Sequence, residues 1–234
     1  MTRRLAATMA IDLRRQITEG FWLVAVVVAL LVASVLRAFD VGWATFWPLI
    51  VLADLTVTAF YFAAIQVLMQ RSEGTLGAQV VTPLRAWEYL LCLAGSLGIL
   101  SLVEMSVLVL IGFGWRLNWP VYLAAVGITA FLYVTYGFIA VSRYRSITQF
   151  LLPSGAWTAG FAIPMLPIFG FPTGWWMWLH PLQPVVALIQ VAFDDREALW
   201  IAPALGAALV WMAVGFKLAT ARYHRFAAGR YGWS

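Results

Sequence analysis

Residues 71–89, R-S-E-G-T-L-G-A-Q-V-V-T-P-L-R-A-W-E-Y, form a polar island between two long apolar runs, residues 43–69 and 87–114. Their charges are too dense to rest in hydrocarbon, so the island lies in water or at a membrane face. Ser72 is a good helix N-cap with Glu73 in the first turn. Thr82 followed by Pro83 is a second start, with proline at the first helical position. The expected picture is a short surface helix and then the start of a new membrane helix, together forming a lever between two spans. Gly74 and Gly77 are poor helix formers, so the ends of the short helix stay open.

Composition sets the solvent. Hydrophobic residues are 63% of the chain and charged residues 11%, with a mean hydropathy of +0.88, outside the range of soluble globular domains. A membrane span takes about 20 apolar residues. Six runs qualify: Phe21–Leu36, Thr45–Met69, Pro83–Phe113, Val121–Val141, the proline-rich stretch 153–172, and Leu199–Ala219. The links are too short for a soluble catalytic domain, and residues 1–234 read as a single transmembrane domain. The first run follows a polar, arginine-bearing stretch without a small-residue cleavage site, so it reads as a retained span. Within residues 3–19, Leu5, Met9, Leu13 and Ile17 share one helical row, while Arg4, Thr8, Asp12, Arg15 and Glu19 occupy a neighbouring one. That pattern predicts an amphipathic helix lying in the interface before Gly20 turns the chain inward.

A net charge of +5 and a pI near 9.7 could point to nucleic acid, but the placement of the charges excludes it as a partner. Arg3, Arg4, Arg14 and Arg15, then Arg71 and Arg85, then Arg143 and Arg145, then Lys217, Arg222, Arg225 and Arg230 fall at alternate ends of the spans. The intervening gaps hold only Arg37, Arg116 and Arg196. The positive-inside rule then puts both termini and the polar island in the cytoplasm and makes membrane lipid the surrounding partner.

Several chemistries are missing. There is no G-x-x-x-x-G-K-[ST] loop, and the only lysine is Lys217 in the last span, so the chain is not an ATPase of that kind. A single cysteine, Cys92, excludes an internal disulfide and a cysteine metal cluster. His180 and His224 are expected on opposite sides of the membrane and cannot share a metal. No catalytic residue, cofactor or metal site is expected.

Asp54 in span 2 and Glu104 in span 3 are the two clear intramembrane acids. They either face a pathway, attracting cationic or zwitterionic substrates or relaying protons, or they fix packing by hydrogen bonds. Phe60, Tyr61 and Phe62 either line a drug-accepting surface or pack in the core. Span 5 carries Pro153, Pro164, Pro167 and Pro172, which predicts a broken helix. After it come W-W-M-W, an H-P-L-Q-P turn, an apolar stretch Val185–Phe193 too short to span, and the charged D-D-R-E.

The order E-G-T-L, then T-P-L-R, then Glu88 near the next span resembles the cytoplasmic signature of ATP-binding-cassette (ABC) exporter permeases of the second class. A second match, H-P-L-Q-P-V-V-A-L-I-Q-V-A-F from His180 to Phe193, is similar to the segment after the fifth span in that family. The resemblance covers essentially the whole chain, and the run from Glu73 to Leu90 looks most like drug-export permeases of the fluoroquinolone-exporter kind.

This resemblance implies an all-α integral membrane fold of six helices, with an interface helix over residues 3–19. It also implies a coupling helix near residues 71–83 and short re-entrant outer helices between spans 5 and 6. It implies that Glu73, Gly74, Thr75, Leu76, Thr82, Pro83 and Leu84 meet a separate ABC ATPase subunit carrying ATP and magnesium, with Glu88 at the inner mouth. A second permease chain, identical or related, would complete the assembly in a bacterial inner membrane. Export of a lipid, a glycan precursor or a self-made antibiotic stays open, as do ion-driven transport and a membrane enzyme using Asp54 and Glu104 as acid and base.

Overall fold

The computed structural model describes residues 2–38, 43–74, 85–172, 174–194 and 196–227. Among them there is no strand, and six helices are long and apolar enough to cross a membrane: Phe21–Ala38, Trp47–Ser72, Ala86–Gly112, Trp119–Val141, Ile147–Phe169 and Ala198–Tyr223, here spans 1 to 6. Span 4 is the centre of the bundle, with 78% of its apolar window buried, against 22% for spans 1 and 5 and 17% for span 6. The weakly enclosed spans present Leu23, Leu31, Leu152, Leu209 and Val210 outward. Outward-facing apolar rows are what a bilayer solvates.

An N-terminal helix, Thr2–Thr18, precedes span 1. The expected division of its faces is only half right. Leu5 and Met9 turn inward, but Ile11 and Ile17 are exposed and Asp12 and Gln16 are buried. The partner surface explains this. The Gln16 side-chain amide donates to Ser96 Oγ at 2.9 Å and to Gln66 Oε1 at 3.3 Å, so this part of spans 2 and 3 offers polar groups that a lipid-facing helix would not meet. Gly95 leaves room for the Met9 thioether, which would lie 3.3–3.4 Å from an added Cβ.

Span 2 is not one α-helix. Residues Trp47–Leu55 are α-helical, Thr56–Tyr61 form a π turn, and Phe62–Ser72 resume the α-helix. Thr56 Oγ1 donates to the Leu52 carbonyl at 2.8 Å and Thr58 Oγ1 to the Asp54 carbonyl at 3.3 Å. Two threonine hydroxyls competing for carbonyls two residues apart loosen the regular ladder, and the widened turn follows. Span 4 makes space for it at Gly137, where a Cβ would stand 2.7 Å from the Phe60 carbonyl oxygen.

Span 5 changes from α-helix, Ile147–Ala162, to a 3-10 helix, Ile163–Phe169, as its prolines predict, and ends at Gly170 with φ +85°. A 3-10 turn, Trp175–Leu179, leads to a short helix, Gln183–Ala192, packed between spans 4 and 6 with nearly every residue buried. Its last carbonyl, Ala192, accepts the Asn118 N–H at 2.9 Å, at the start of span 4.

Candidate functional site

The polar island leaves span 2 differently from the expectation. The helix runs through Ser72, whose hydroxyl donates back to the Met69 carbonyl at 2.9 Å, Glu73 is the C-cap, and Gly74 takes φ +72°. Ser72 therefore ends a helix and does not begin one, because a glycine in the left-handed region stops the chain two residues later. Span 3 begins at Ala86, not at Pro83. Arg85 is extended at the N-cap, and Glu88 Oε2 accepts its backbone N–H at 2.8 Å. A glutamate three residues into a helix reaching back to the cap amide is half of a capping box, which gives buried Glu88 a structural task at this entry. Thr75, Leu76, Thr82, Pro83 and Leu84 lie outside the described residues.

Side chains tie this end of the bundle together. The Arg15 guanidinium donates to Glu73 Oε1 at 2.7 Å and also pairs with Glu19. Burial alone would weaken the Arg15 proton, but the Glu19 and Glu73 carboxylates outweigh it and raise the pKa further. Arg71 Nη1 donates to the Tyr144 carbonyl at 2.9 Å, joining span 2 to the link after span 4. Tyr89 Oη donates to Gln70 Oε1 at 2.8 Å, closing span 2 on span 3. The end of span 2 is thus tied to the N-terminal helix, to the second link and to the start of span 3. Arg222 joins the same end by donating to the Ile139 carbonyl at 3.2 Å.

Deeper in the bundle, the structure brings Asp54 and Glu104 together. They come from different spans, are 8% and 1% exposed, and their carboxyl groups face each other beside the Thr58 hydroxyl. Both Glu104 oxygens and Asp54 Oδ2 lack a directed hydrogen bond, and no arginine, lysine or histidine side chain pairs with either acid among the described residues. Neighbouring Tyr122 spends its hydroxyl on the Met105 carbonyl at 3.0 Å. Two like charges cannot comfortably coexist at such a spacing, so the arrangement suits one proton held between two oxygens.

Phe60 is fully buried and touches Phe150, Trp157 and Phe161 at ring-centre distances of 6.0, 6.4 and 5.1 Å, a core position. Tyr61 is half-buried, with its hydroxyl 3.0 Å from Ser154 Oγ of span 5. Sequence reasoning missed the aromatic wall these rings belong to, completed by Tyr133 and Tyr136 of span 4. The i, i+4 spacing of Trp157 and Phe161 on span 5 was the available signal.

The fluoroquinolones export permease protein family matches residues 3–231 of the chain. The chain belongs to this family. The fluoroquinolones export permease proteins of two Mycobacterium tuberculosis strains, CDC 1551 / Oshkosh and ATCC 25618 / H37Rv, are each 29% identical to it over 202 residues, covering 82% of this chain and 82% of the relative. The permease is therefore a multi-pass membrane protein of a family named for export and not for catalysis.

Proposed function

We propose that this permease is the membrane subunit of an ATP-driven ABC exporter that moves hydrophobic or amphipathic drugs outward by alternating access. ATP, with magnesium, is hydrolysed on a separate ATPase subunit, and a second permease chain, identical or related, completes the assembly. The protein sits in the bacterial inner membrane with both termini cytoplasmic, and the helix Gln183–Ala192 is the re-entrant element of the outer leaflet.

The observation that carries this reading is the clamped end of span 2. Arg15 on Glu73, Arg71 on Tyr144 and Tyr89 on Gln70 join the N-terminal helix, spans 2 and 3 and the second link at one end. A push delivered there moves several spans as a unit, which shifts the population between inward and outward access. The relatives named as fluoroquinolone exporters support a drug as cargo, and the one-sided arginines support the sidedness.

Co-purification tests it. The tagged permease should bring down an ABC-type ATPase, and substitutions at Glu73 or Leu76 should cut export several-fold or more while leaving the protein in the membrane. A second reading, ion-driven transport, draws on the facing Asp54 and Glu104 carboxyls. It wins if ATPase-free proteoliposomes still export the drug along an imposed ion gradient.

A further inference from the structure

A cavity of about 410 Å³ lies between spans 4, 5 and 6. Tyr136, Trp157, Phe161 and Trp211 supply its aromatic walls, and Gly160 and His180 close it. Its rim includes Val214 and Leu218, exposed on the apolar outer face of span 6, so the mouth opens toward the bilayer.

Two features bear on what this space could hold. First, a Cβ added at Gly160 would meet nothing within 4 Å, so the hollow runs to the backbone of span 5. Second, the histidine of the wall is already engaged. His180 Nδ1 accepts the Leu182 N–H at 3.2 Å, the imidazole donates toward the Gly160 carbonyl, and burial lowers its pKa so that it stays neutral. No lining residue has a buried polar atom without a partner. No fully buried polar atom of the lining therefore demands a partner from an occupant, which gains chiefly by shape and by contact with the rings.

The rings favour a flat guest. Tyr136 stacks on Trp157 and on Phe161 at ring-centre distances of 6.3 and 6.1 Å, with interplanar angles of 30° and 28°, so the three rings make one aromatic wall. An aromatic wall rewards an aromatic ring system, stacked or edge-on, more than a saturated chain, which gains only dispersion from any apolar wall. The volume falls within the roughly 300–1,000 Å³ range of drug-sized sites. Phe161 also lines a second cavity of about 250 Å³ beside Thr56 and Tyr133, so one ring separates the bilayer-facing space from the π turn of span 2.

We infer that this cavity binds the planar fused aromatic ring system of the exported drug, which enters sideways from the membrane. The inference rests on the drug-export reading above and adds the place of docking. The test uses the full-length permease in nanodiscs without ATPase, with ciprofloxacin as the fluorescent probe and its anisotropy as readout. Gly160→Leu, which fills open space, is expected to weaken binding about tenfold or more. Gly155→Leu, on the same helix with its added Cβ also in open space and outside the cavity lining, is expected to leave binding unchanged. Trp211→Leu, which removes one wall, gives the same loss as Gly160→Leu and serves where that variant does not fold.

Unchanged affinity in the folded Gly160→Leu and Trp211→Leu variants overturns the proposal. Displacement of the probe by an equal concentration of palmitate also overturns it, by making the cavity an acyl-chain site. Binding is read without the ATPase, so a permease that co-purifies with an ATPase yet fails this test loses the docking site alone.

Discussion

Arg15 and Glu73, 58 residues apart in sequence, meet through a guanidinium–carboxylate contact of 2.7 Å that fastens the N-terminal helix to the end of span 2. Glu73 is about half exposed, with 48% of its side chain accessible, and an exposed pair contributes only about 0.2–1 kcal/mol to stability. Its value is mechanical. Arg15→Ala and Glu73→Ala are each expected to cut drug export several-fold while shifting the melting temperature of the purified permease by no more than a few degrees. The charge-reversed pair, Arg15→Glu with Glu73→Arg, should recover part of the export. A large loss of stability without loss of export would make the contact a simple brace.

Asp54 and Glu104 predict the opposite pattern. Asp54 Oδ2 and both Glu104 oxygens are buried without directed partners, and a buried unsatisfied polar group costs roughly 1–3 kcal/mol. Asp54→Asn or Glu104→Gln supplies an N–H donor to the remaining carboxyl at nearly constant volume. Either substitution should raise thermal stability, and the double variant should gain less than the sum of the two because both act on the same contact. If the pair takes part in the transport cycle, export falls as stability rises. Thermal unfolding in detergent and drug accumulation in cells together read out both halves.

The π turn of span 2 and Gly137 of span 4 form a fitted contact. A methyl group at Gly137 would sit 2.7 Å from the Phe60 carbonyl oxygen, backbone against backbone, with no flexible side chain to yield. Gly137→Ala is expected to destabilise the permease by about 1–3 kcal/mol. Gly127→Ala, on the same helix but with nothing within 4 Å, should be neutral or slightly stabilising. Equal melting temperatures for the two variants would show that the π turn is not held against span 4.

How much of this was legible beforehand depends on whether the signal is local. The six spans were, because a run of about 20 apolar residues has few other solutions. Ser72 was misread because an N-cap residue and a helix-ending glycine stand within three positions, and only the φ of Gly74 shows which signal prevails. Glu88 was legible as a residue near a helix entry, but its bond to the Arg85 amide moved the start of span 3 from Pro83 to Ala86. The pairing of Asp54 with Glu104 was not legible, since it requires the register of two helices against each other. The inward turn of Gln16 likewise depends on a polar patch, Gln66 and Ser96, supplied by spans the helical wheel cannot see.

Asp12 gives the permease a pH-dependent N-terminal helix. Burial pushes its carboxyl from the ordinary 3.8 up to about 6, with Arg15 opposing the shift, and Tyr89 and Cys92 are the other titratable groups facing it. The folded state holds this proton more tightly than the unfolded chain does. Stability is therefore greatest below the ordinary value of 3.8, falls as pH rises through about 6, and is level above that. A shift of this size corresponds to on the order of 3 kcal/mol across the window. Asp12→Asn keeps the shape and removes the titration, so the fall between those two values should flatten and the variant should be the more stable protein at neutral pH. Amide hydrogen exchange of residues 5–18 as a function of pH measures the effect at its source. Identical pH profiles in the two proteins would mean that water reaches Asp12 and that its carboxylate is not held against span 3.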